Sequence, residues 1–152
     1  MRRQFGRALL LAPMLALVAC GDDNNNRLPT GPTTPPTVLS ETFSGTLTRN
    51  AAYTHPFTVS DSGDISVFLL RSVDPARPEN NAIPIGVSLG TWNGSACAIV
   101  IANDNLTPVT NEDATKGRLV GRATAAGNLC LRVYDVGFVP GSANYELLID
   151  HY

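Results

Sequence analysis

Of the 152 residues only one is lysine, Lys116, two are histidine and one is tryptophan, and 11 cationic side chains stand against 13 anionic ones. Gripping a phosphate backbone takes a stripe of clustered cations, so this balance excludes dedicated nucleic-acid binding. The histidines, His55 and His151, stand far apart in no catalytic spacing, which leaves little for general-base chemistry. No apolar run approaches the ~20 residues of a membrane-spanning helix. The most conspicuous one, over 8–19, is 12 residues long and is interrupted by Pro13. A sustained 3.6-residue apolar period is also missing, which argues against a helical domain. The three cysteines are an odd number without a C-x-x-C pair, which argues against a redox or metal-binding pair. The length fits one domain with appendages and excludes most large enzyme architectures.

The run over 8–19 follows Arg2, Arg3 and Arg7. A charged n-region before a short apolar segment reads as an export signal. The residues Leu17-Val18-Ala19-Cys20, with Gly21 after them, resemble the lipobox of bacterial lipoproteins. The resemblance implies that 1–19 is removed and that Cys20 carries diacylglycerol and an acylated amino group, so the protein meets the membrane through a lipid anchor. Several acyl chains, at ~0.8 kcal/mol per buried CH2, anchor stably where one would not. Gly21 in place of an aspartate favours the outer membrane. Arg2-Arg3-Gln4-Phe5 also resembles part of a twin-arginine export motif, which leaves that route open beside the general one. A chain starting at Cys20 would have 133 residues, with 8 basic against 13 acidic side chains, a net charge of -5. Residues 21–37 hold three consecutive asparagines and four prolines. They cannot bury enough surface to offset ordering entropy, so 20–37 is expected to be a disordered tether, with an end-to-end distance of roughly 23 Å.

From Val38 onward short apolar stretches alternate with turn residues. Eight strands are expected, over 39–47, 56–60, 64–71, 83–92, 97–102, 118–123, 129–136 and 145–149. Between them stand turn formers such as Asp61-Ser62-Gly63, Trp92-Asn93-Gly94, Ala126-Gly127-Asn128 and Pro140-Gly141-Ser142. This pattern predicts an all-β domain over 38–152, an antiparallel β-sandwich or jelly roll of about eight strands. Cys97 and Cys130 both fall in strands and, after export, meet an oxidising compartment where they are expected to pair. Such a bridge would contribute about 3–4 kcal/mol.

Phe43-Ser44-Gly45-Thr46-Leu47, Pro56-Phe57-Thr58-Val59, Gly63-Asp64-Ile65-Ser66-Val67, the run from Gly127 through Leu131 and Val133 to Asp135, and Asn144-Tyr145-Glu146-Leu147 together resemble the bacterial pre-peptidase C-terminal domain. Leu129 stands where that family usually has tyrosine. The resemblance implies a β-sandwich accessory of the kind attached to secreted hydrolases, some of which resemble targeting modules for collagen or polysaccharide and some of which bind calcium.

Gly86-Val87-Ser88-Leu89-Gly90 fits the G-x-S-x-G pattern of hydrolases, but it lies inside an alternating strand rather than on a strand-to-helix turn. No catalytic residues are expected. Asp61 with Asp64, and Asn103-Asp104-Asn105, offer oxygen ligands of the type calcium takes, without the regular loop spacing, so no metal site is assigned. Trp92, Tyr134 and Tyr145 are the candidates for a ligand face, since aromatic rings combine contact area with a polar edge. The sequence therefore points to a non-catalytic envelope lipoprotein that binds an extracellular polymer, polysaccharide or protein. The alternative is a structural or assembly partner of an envelope secretion or protease complex.

Overall fold

The computed structural model describes residues 35–79, 82–109 and 117–152. The lipobox, with Cys20, and the tether as far as residue 34 lie outside the described residues. Residues from Pro35 to Tyr152 form a compact unit. Its strands are β1 (Leu39–Thr48), β2 (Ala52–Val59), β3 (Gly63–Val73), β4 (Ile85–Trp92), β5 (Cys97–Leu106), β6 (Arg118–Ala123), β7 (Gly127–Tyr134) and β8 (Ser142–His151). They build two four-stranded sheets, a front sheet ordered β1-β8-β3-β6 and a back sheet ordered β2-β7-β4-β5. All pairs are antiparallel, so the all-β sandwich expected from the sequence is the observed fold.

Period-2 patterning explains how the layers meet. In β8, Ala143, Tyr145, Leu147, Ile149 and His151 point inward, and in β3 Ile65, Val67 and Leu69 do the same. Phe57, Val59, Val87, Leu89, Leu131 and Val133 of the back sheet complete the core. Two extra apolar residues of β3 break the alternation. Leu70 sits where the β3–β8 register slips, and Phe68 faces outward beneath the Arg118 guanidinium, 5.4 Å from the ring centre.

All eight expected strands are present, but their ends differ. Pro56, expected at a strand entrance, lies in the middle of β2. That strand is a sheet edge with β7 as its partner, so on its open side a missing N–H loses no ladder bond. β5 continues past its expected end at residue 102 to the buried Leu106, which makes Asn103, Asp104 and Asn105 strand residues rather than a turn. β5 is the other edge of the back sheet, where polar side chains meet solvent, and two register shifts against β4 bend it. At the far end of the sandwich the Asp135 carboxylate accepts N–H bonds from Asn50 at 2.8 Å, Gly137 at 2.7 Å and Val139 at 3.1 Å. These bonds join the β1–β2 turn, with Asn50 at φ 59°, to the β7–β8 loop.

Candidate binding face

β4 is buried on both sides. Val87 and Leu89 enter the core, while Gly86, Ser88 and Gly90 point away from it and are buried as well. Two bridges between β7 and β5 pass over this outer side. The Tyr134 ring lies across Gly86, occupying the space of any side chain there, and its hydroxyl donates to Asp104 of β5. Desolvation and the neighbouring Asp104 carboxylate push the Tyr134 hydroxyl up to about 12, so it stays protonated and able to donate. The second bridge is the disulfide between Cys97 and Cys130, whose Cα atoms are 5.8 Å apart. Cys130 pairs with Gly90, and a side chain at Gly90 would collide with the Ala98 carbonyl of β5. The expected cysteine pair is therefore present.

This arrangement accounts for the G-x-S-x-G run. Its glycines leave room for the covering ring and backbone, and Ser88, 0% exposed, has no hydrogen-bond partner for its hydroxyl. A nucleophile needs an accessible hydroxyl beside a base, and both histidines lie on the opposite, core side of the back sheet. His55 Nε2 pairs with the Tyr145 hydroxyl at 2.7 Å and the ring stacks on Phe43. Burial lowers its pKa, so the ring is neutral near pH 7. His151, 1% exposed, pairs with Glu41 at 3.0 Å. Four of the five side chains considered for calcium already have protein partners. Asp64 binds Arg122 at 2.9 Å, Asp61 holds the Ser62 N–H at 2.6 Å, Asn103 holds the Asn105 N–H at 3.0 Å, and Asp104 takes the Tyr134 hydroxyl. Among the described residues no three metal-binding side chains of the His, Cys, Asp or Glu type converge.

The three candidate aromatics do not share a face. Tyr145 is 3% exposed and belongs to the core, because odd-numbered residues of β8 point inward. Trp92 and Tyr134 both lie on the outer side of the back sheet, but the β4–β7 register places them at opposite ends. Trp92 is half-buried at the end of β4 and borders a groove of about 460 Å³, a volume within the range of small-ligand sites. Thr58 pairs with Asn128 across β2 and β7, and Trp92 directly follows Thr91, whose β7 partner is Leu129, so the three border one groove. Thr58 donates to Asn128 Oδ1 at 3.1 Å. Asn93 folds the β4–β5 turn, its Oδ1 accepting the N–H groups of Ser95 at 3.0 Å and Ala96 at 2.8 Å, and Gly94 takes φ +98°. Pro56 closes the groove on the β2 side. Of these residues the sequence marks Trp92 alone as a ligand candidate, with Pro56 opening an expected strand and Asn93 and Asn128 in turns. Only the pairing register makes them neighbours.

A second, apolar cleft of about 450 Å³ lies between Ile65 of the front sheet and Leu89, Ile101 and Leu129 of the back sheet, below the β6–β7 loop. No family model matches the chain, and no curated protein matches it. A solved structure with a similar arrangement is PliG of Aeromonas hydrophila, a periplasmic lysozyme inhibitor of g-type lysozyme. It shares 13% identity at a TM-score of 0.45 over 72% of this chain and 83% of that one, a likeness too distant to speak to function.

Proposed function

We propose that the protein is a lipid-anchored component of the bacterial envelope whose sandwich is a non-catalytic module that binds an extracellular polymer. The observation that carries this reading is the Trp92 groove, a partly exposed aromatic beside uncharged hydrogen-bonding groups on a sheet fixed by a disulfide. A site on regular strands is held in place before its ligand arrives, which lowers the ordering cost of binding. Anchoring is supported by Leu17-Val18-Ala19-Cys20 and by the spacer after it, with the outer membrane favoured by Gly21. The strand motifs that resemble the pre-peptidase C-terminal domain are consistent with an accessory role.

Incorporation of labelled palmitate into the full chain and its loss in Cys20→Ala tests the anchor. Retention of the full chain on insoluble polysaccharides and on collagen, lost in Trp92→Ala, tests the module; retention unaffected by that substitution would refute the assignment of the groove. One observation favours the second reading, an assembly partner. Ile99 and Val100 of β5 and Val120 of β6 expose apolar side chains at sheet edges, Val100 at 71%. An envelope protein cross-linked through Val100 in cells, with no retention on any polymer, would establish that reading instead.

A further inference from the structure

The groove also restricts what the polymer can be. We propose that it receives a neutral polysaccharide, with a sugar ring laid on the Trp92 indole and its hydroxyls met by the side-chain amides of Asn93 and Asn128. The inference rests on the binding-module reading above and names its ligand class.

Three features lead to it. First, no charged side chain lines the groove, whose walls are Pro56, Thr58, Trp92, Asn93, Gly94 and Asn128 with part of Phe57. An anionic polymer would find no cation there and would approach a domain that is acidic overall, with a side-chain net charge of -5 from Cys20 onward. Second, the amides have donors to spare. Asn93 Oδ1 is occupied by the turn it folds and Asn128 Oδ1 by Thr58, which leaves each NH2 group without a protein acceptor among the described residues. Donors beside an aromatic face suit a ring with hydroxyl oxygens at its rim and C–H groups on its flat side. Third, the groove lies on the face of the back sheet, whereas an extended peptide adds as a strand along an edge, and on the β2 edge Pro56 has no N–H to offer it. The disulfide fixes the groove, since Cys97 pairs with Trp92 and Cys130 lies two residues from Asn128.

The test is co-sedimentation of the full chain, in detergent, with insoluble cellulose, chitin and β-1,3-glucan as neutral glycans, with alginate gel as an anionic glycan and with fibrillar collagen. Retention on at least one neutral glycan is expected, unchanged by added salt because no ion pair is involved. Trp92→Ala is expected to weaken it at least tenfold. Asn128→Ala, which leaves the core untouched, is expected to weaken it several-fold while the circular dichroism spectrum stays that of the parent. Retention on collagen or alginate alone overturns the neutral-glycan inference and leaves the binding module standing. Retention on no matrix overturns both. Neutral-glycan binding that survives both substitutions overturns the site.

Discussion

Removing the Cys97–Cys130 bridge should cost the domain about 3–4 kcal/mol. The two cysteines are 33 positions apart in sequence, and closing a loop of that length removes entropy from the unfolded chain that amounts to roughly 3.8 kcal/mol at 25 °C. The bridge joins β7 to β5 across β4, so it constrains strands that share no ladder with each other. For a domain of this size each kcal/mol moves the melting temperature by about 4 °C, which gives a drop near 15 °C. The appropriate variant is Cys97→Ala with Cys130→Ala. Serine would place a second unsatisfied hydroxyl beside Ser88, because Cys130 is fully buried, and would add about 1–3 kcal/mol unrelated to the crosslink. Urea unfolding followed by circular dichroism reads the loss. The parent under reductant should unfold at the same midpoint as the alanine pair. A loss below about 1 kcal/mol, or a parent whose mass is unchanged by reduction, would refute the reasoning.

Gly86→Val should destabilise by about 3 kcal/mol, since its side chain would occupy the place of the Tyr134 ring. Combining it with Tyr134→Ala should cost less than the two single losses added together, and additive losses would show that the ring does not cover Gly86. Leu147→Ala, fully buried between Phe43 and Leu69, should cost about 2–5 kcal/mol, against less than about 0.5 kcal/mol for Val100→Ala at the exposed β5 edge; equal effects in urea melts would contradict the packing. Burial lowers the pKa of His55 from its ordinary value of 6.5, so the unfolded chain takes up the proton first as pH falls. Its contribution to stability is complete above about pH 6.5 and is lost below it, and His55→Gln should flatten that part of the profile of unfolding free energy against pH.

The layers of this fold are legible because apolar residues alternate in β3, β4 and β7 and turn formers separate the strands. The disulfide was legible as well, since two strand cysteines in an exported chain have few other fates. Strand ends were less so. Pro56 stops a strand in any reading that does not know it lies on a sheet edge, and Asn103-Asp104-Asn105 look like a turn until Leu106 is seen anchoring the end of β5. Tyr145 stands among the ligand-face candidates in the sequence because its inward direction follows from the phase of β8, which the short expected strand over 145–149 leaves open. The groove was the least legible feature. Thr58, Asn128 and Trp92 are scattered over 70 positions, and register, a tertiary property, brings them to one groove.

The order of the front sheet sets a timetable for the chain. β8 lies between β1 and β3, so β1 has no neighbour in its sheet until β8 arrives, with Leu39 paired to His151. Pairings this distant in sequence also close slowly. Until Ser142–His151 is in place, β1 and β3 each present an open edge to whatever the unfolded chain meets.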